Sequence, residues 1–94
     1  MAIIISDLIL EKLSKKHKVT KVEIEQCFNN REAGLLVDNR EDHKTNPQTL
    51  WFVAPTNKNR LLKIMYVSDG SDIFLKSAYD ATPDIIRIYE KYAH

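Results

Sequence analysis

Ninety-four residues and 10.9 kDa set the scale of one small domain, 1–94, whose folding hides only roughly 60–65% of the unfolded chain's surface. Fourteen Lys and Arg against thirteen Asp and Glu leave a formal charge of +1, which removes the bulk basic signature of nucleic-acid binding but allows a local patch. Two glycines exclude a glycine-rich phosphate cradle, and the single Cys27 excludes an internal disulfide and a cysteine-built zinc site.

Met1–Asp7 has no basic leader and reaches an acidic residue early, so no signal peptide is expected there. No apolar run approaches the roughly 20 residues a membrane span needs. A reducing cytoplasm is the expected compartment, with no membrane partner.

In chain order, the β-branched run Ala2–Ile5 predicts a buried strand. Ser6 then reads as a helix N-cap, with Asp7 at the positive end of the dipole and Ile5 and Leu10 at staple positions. Leu10, Leu13 and His17 give one face of a helix ending near His17. Thr20 and Glu23 form a capping box, flanked by the staple pair Val19 and Ile24. Ile24, Cys27 and Phe28 carry a second helix to Asn29-Asn30.

After Gly34 the period changes from helical to extended. Leu35–Asp38 is a short strand candidate, and the polar stretch Asn39–Gln48 follows. Thr49–Ala54, Arg60–Ser68 and Asp72–Tyr79 read as strands joined by turns at Asn57–Asn59 and Asp69-Gly70-Ser71. Connections this short forbid parallel crossovers, which predicts an antiparallel meander with Leu61–Val67 at its centre. Thr82 and Pro83 open a last helix with an apolar stripe at Ile85, Ile88, Tyr89 and Tyr92. The expected fold is α+β, in the order β-α-α-β-β-β-β-α, an antiparallel meander sheet covered by helices.

Reactive side chains are densest at Asp38, Arg40, Glu41, Asp42, His43 and Lys44. Metal-free phosphodiester cleavage needs a base, an acid and a cation on the developing charge, and this loop holds all three types. His43 titrates in the useful range; the plainer reading is a solvated charged loop. A second group, Arg60, Lys63 and Lys76 with Tyr66 and Tyr79, interleaves cations and aromatics on strands, a pattern that holds single-stranded RNA by phosphate contact and stacking. The alternative is that these lysines only solvate an outer face. Lys15, Lys16, His17, Lys18 and Lys21 form a basic knot in which His17 reads as structural, Cys27 as a small buried hydrophobe and Trp51 as core. No histidine pair has metal-ligand spacing, so no metal or other cofactor is expected, and no nucleophile elbow occurs.

The run Lys16-His17-x-Val19-Thr20-x-x-Glu23 leading to Phe28 resembles the helix junction of the BrnT-type toxins of bacterial type II toxin–antitoxin pairs, distant members of the RelE/ParE superfamily. Arg60-x-Leu62-x-Ile64-x-Tyr66, Ser77-Ala78-x-x-Ala81-Thr82 and Tyr89 are similar to that family's central strands and closing helix. The resemblance implies a RelE/BrnT-like sheet, ribosome-independent ribonuclease activity, and a cognate antitoxin protein that is acidic or binds DNA, in a hetero-oligomer with it or as a homodimer. On the chemistry of the residues themselves, the expected catalytic set is His43, Glu41 and Arg60, with Lys63, Lys76, Tyr79, Arg40 and Lys44 holding RNA. This sequence carries Lys18 where the family has glycine, and Phe74 and Tyr79 where it has arginine. Small chains with the Glu-x-His-Lys-Thr-x-Pro-x-Thr-x-Trp run of Glu41–Trp51 are also sometimes called ADP-ribosyl-(dinitrogen reductase) hydrolases. True enzymes of that name are larger, all-helical and built around carboxylate-bound magnesium, unlike the order read here. The toxin-like ribonuclease is the leading reading; the missing arginines and near-neutral charge favour its rival, a non-catalytic interaction module of the same fold, and a ParE-like gyrase poison is the third reading.

Overall fold

The computed structural model describes residues 2–38 and 48–93, and its elements follow the predicted order. Strand β1 is Ala2–Ile4, and helix α1, Asp7–Lys12, runs on as a π-helical turn at Leu13–His17. Helix α2 is Lys21–Asn30, and β2 is Leu36–Val37. Strands β3, Thr49–Pro55, β4, Leu61–Asp69, and β5, Asp72–Asp80, precede helix α3, Pro83–Ala93.

Local chemistry accounts for the boundaries. The Ile9 N–H donates to Ser6 Oγ at 3.2 Å, which caps α1. Both halves of the capping box form at α2: Glu23 N–H donates to Thr20 Oγ1 at 3.2 Å, and Thr20 N–H donates to Glu23 Oε1 at 3.0 Å. Ile85 N–H likewise donates to Thr82 Oγ1, ahead of Pro83. The β3–β4 connection ends on Asn59 at φ 65°, where asparagine tolerates the left-handed region. The β4–β5 hairpin turns on Gly70 at φ 64°, the first central residue of its two-residue loop, where a side chain would be strained.

The sheet order is β1-β5-β4-β3-β2. Strands β2 to β5 pair antiparallel, as predicted, with Phe52 opposite Ile64 and Ile64 opposite Ala78. Two expectations are corrected at β1. It joins β5 in parallel, Ile3 opposite Ile73, so the sheet is mixed. The long path through α1 and α2 frees β1 from the antiparallel constraint of a tight turn. It is also an edge strand with Ile4 40% exposed rather than a buried one.

Helices cover both faces. On one, Phe28 of α2 meets Phe52 edge-on at 4.9 Å and Tyr66 at 5.3 Å, over a core that includes fully buried Ile24, Leu62 and Ile64. On the other, Tyr89 of α3 packs against Trp51 with ring centroids 5.8 Å apart. The Tyr89 hydroxyl donates to the Gly34 carbonyl at 2.6 Å, and Gly34 N–H donates to the Ala93 carbonyl, which ties α3 to the segment before β2. No helix among the described residues is long and apolar enough to cross a membrane.

Cys27 is completely buried under α2, with Sγ 3.4 Å from the Ala54 carbonyl, and burial pushes its thiol up to about 12. The thiolate is therefore scarce and shielded. A disulfide reagent such as DTNB is expected to label native protein at least roughly 100-fold more slowly than protein in denaturant. Equal labelling rates would contradict this packing.

Candidate functional site

All five residues of the second group lie among the described residues, but Tyr66 is apart from Lys63, buried on the α2 face against Phe28. Val53, Lys63 and Tyr79 lie opposite one another across β3, β4 and β5, so they project to the α3 face of the sheet. Lys63 is only 9% exposed, and its Nζ lies 4.5 Å from the Trp51 ring centroid and 5.8 Å from that of Tyr79. No carboxylate pairs with it among the described residues. A buried ammonium without a counter-ion is costly, and the two ring faces offset only part of that cost.

Lys76 reaches the same face through an irregularity. Met65 pairs with Ser77 while Tyr66 pairs with Leu75, so Lys76 is the extra residue of a β-bulge. Strict alternation would have put Leu75, Ser77 and Tyr79 together. The bulge instead lets buried Leu75 and Ala78 share the α2 face, and turns exposed Phe74 and Lys76 and half-buried Tyr79 to the other.

The third constellation was not predicted. His17 packs against Tyr79, ring centroids 5.5 Å apart and planes inclined by 36°. Burial, then the Lys16 and Lys12 charges, hold its imidazole below the ordinary 6.5 against the opposing pull of Asp80. No hydrogen bond to the ring nitrogens occurs among the described residues.

Arg60 occupies a different role from the one expected of it. Its Nε and Nη2 donate to the Asp80 carboxylate at 2.7 and 3.1 Å, and Nη1 donates to Glu23 Oε2 at 3.1 Å. Nη1 also donates to the Lys18 carbonyl at 2.8 Å, and Nη2 to that of His17 at 3.0 Å. All five N–H groups are thus engaged. The two carbonyls are those a helix end leaves without intrahelical partners. Between them Lys18 sits at φ 55°, a left-handed conformation that costs a lysine on the order of 1 kcal/mol. The hydrogen bonds from Arg60 hold the Asp80 carboxyl below its usual range. At Glu23 burial pushes upward, but the Thr20 N–H and Arg60 outweigh it and the carboxyl is also lowered.

The structure therefore gathers Lys63, Tyr79 and Lys76 on one face and commits Arg60 to a junction of α1, α2 and β5. Arg40, Glu41, His43 and Lys44 lie outside the described residues; their segment leaves after Asp38, whose N–H donates to the Thr49 carbonyl, and returns at Gln48. Among the described residues no group of three or more His, Cys, Asp or Glu side chains is placed to hold a metal ion. No protein-family model matches the chain, and neither a curated protein nor a solved structure matches it.

Proposed function

We propose that the chain is the toxin-like member of a type II pair and cleaves single-stranded RNA without a metal. The observation that carries this reading is Lys63: a nine-tenths buried cation, framed by Trp51 and Tyr79 and unmatched by any carboxylate among the described residues. Phosphate is the anion such a position suits when an aromatic ring stands beside it for a base and a second cation, Lys76, lies on the same face. The left-handed backbone at Lys18 also supports the resemblance, because that is the conformation for which glycine, the family's residue there, is the ordinary choice. The partner is an antitoxin whose acidic side chains complement the same cations.

Single-stranded RNA incubated with purified chain in excess EDTA is expected to break at discrete positions, and induced expression to arrest growth. Intact RNA together with normal growth would refute the proposal; intact RNA with arrested growth and damaged DNA would favour the gyrase poison.

One observation favours a second reading. Arg60, the only arginine of the expected catalytic set, is used entirely for internal contacts, which suits an interaction module that keeps the fold without the chemistry. That reading requires a stable complex with a partner protein and no RNA breakdown.

A further inference from the structure

Two lysines of this chain sit where local physics argues against a lysine. Lys18 holds φ 55°, a conformation that glycine adopts without strain and a long side chain does not. Lys21 is the first residue of α2, where the positive end of the helix dipole opposes a cation and favours Asp or Glu. Local rules broken in this way recur at functional sites, where a side chain answers to something other than the fold. Both side chains are exposed, and among the described residues no carboxylate pairs with either.

The two lysines border one hollow. It has a volume of about 470 Å³, opens to solvent beside the start of α2, and is lined by Leu10, Ser14, Lys18, Val19, Thr20 and Lys21. Val19 is buried there, whereas Leu10, which regular helical spacing would turn inward, stays 41% exposed. The lining holds no carboxylate and no aromatic ring among the described residues. The stretch Lys12–Lys21 carries five lysines and no acidic residue, in a chain whose net charge is only +1. An uncovered apolar patch therefore has a rim of a single sign.

We propose that this hollow docks a partner protein through an acidic amphipathic helix. One apolar side chain of that helix enters against Leu10 and Val19, and the Asp or Glu side chains flanking it meet Lys18 and Lys21. Helix-in-groove recognition works through such spaced apolar anchors, and the rim charge selects an acidic partner. RNA suits the hollow less, because no ring stands there for a base to stack on. A membrane suits it less as well, because interfacial binding uses a broad apolar face and Leu10 is the one large exposed apolar residue in the lining. Neither Lys63 nor Tyr79 lines the hollow, so the inference goes beyond the RNA reading and does not depend on it.

The probe is the peptide acetyl-Glu-Leu-Glu-Glu-Leu-Leu-Glu-Glu-Leu-amide, whose leucines recur at i, i+3, i+4 and i+7. Added at about 100 μM to the full isotope-labelled chain, it is expected to shift the amide resonances of Leu10, Ser14, Val19 and Lys21 most, and the shifts should fade as salt is raised. Lys18→Gly and Lys21→Glu should each weaken binding about 3–10-fold. Each should leave the melting temperature unchanged or raised, since glycine relieves the strained backbone and glutamate suits a helix start. A lysine kept for the fold would not show weaker binding together with undiminished stability. Lys18→Asn tolerates the same backbone and takes the place of Lys18→Gly should glycine loosen the turn. Peptides with alanine for leucine, or lysine for glutamate, should bind at least about tenfold more weakly. Absent shifts at these residues, wild-type affinity in both variants, or a lower melting temperature in both would overturn the proposal. Tighter binding of a single-stranded RNA of about 20 nucleotides, or of phosphatidylcholine vesicles with about 30% phosphatidylserine, lost in the same variants, would overturn it in favour of a nucleic acid or a membrane. No arm of the test measures RNA cleavage, so a chain that cleaves no RNA would sink the RNA reading and leave this surface standing.

Discussion

Arg60→Met is expected to lower the unfolding free energy by about 2–4 kcal/mol and the melting temperature by on the order of 10–20 °C. The loss does not come evenly from the guanidinium contacts. Asp80 has a side chain 66% exposed, so its pairing is screened and contributes at most about 1 kcal/mol. Glu23 is 24% exposed, and the His17 and Lys18 carbonyls close a helix end, so the larger share lies there. Methionine preserves most of the aliphatic stem and removes only the donors. Thermal or urea unfolding checks the figure, and a change below about 0.5 kcal/mol would show that the junction holds without Arg60.

The same substitution carries a pH signature. Glu23 and Asp80 have folded carboxyl groups below their ordinary values of 4.5 and 3.8. A carboxyl lowered on folding adds stability above its unfolded value, and that stability is lost as pH falls through the folded one. Wild-type stability should therefore decline below pH 4.5, and Arg60→Met should decline less steeply over that interval. Parallel profiles would show that the carboxylates draw their stabilisation from elsewhere.

Lys63→Met is expected to do the reverse, leaving the fold and removing the ligand. Methionine fills a similar volume between Trp51 and Tyr79. The lost cation–π attraction and the relieved desolvation of the ammonium oppose each other, so stability should change by no more than about 1 kcal/mol. Single-stranded RNA binding should weaken roughly 10–100-fold, and the salt dependence of binding should become shallower by about one phosphate contact. Lys76→Met, at an exposed position, should cost less. Unchanged RNA affinity in Lys63→Met would remove the anchor on which the functional proposal stands.

What could be read from the sequence was local. Caps at Ser6, Thr20 and Thr82, the turns at Asn57–Asn59 and Gly70, and the meander all depend on residues a few positions apart, and all were legible. Three features were not. Glu23 reads as a capping-box member, and nothing nearby shows that its carboxylate also receives Arg60 from 37 positions away. The bulge at Lys76 carries no glycine to announce it, yet it decides which side chains share a face with Lys63. Helical spacing aligned His17 with Leu10 and Leu13 on one face. The π-helical turn breaks that alignment, leaving Leu13 buried, Leu10 41% exposed and the imidazole on Tyr79.

The pairing of Ala2–Ile4 with Asp72–Phe74 also orders events during synthesis. Strand β1 is made about 70 residues before its neighbour β5, so it emerges from the ribosome well before that partner does. The hairpins of β3, β4 and β5 close early because their contacts are short-range, whereas the β1 ladder is a late docking step. Until then the apolar Ile3-Ile4-Ile5 stretch lacks its β5 partner, and such an unpaired strand is open to pairing with other chains.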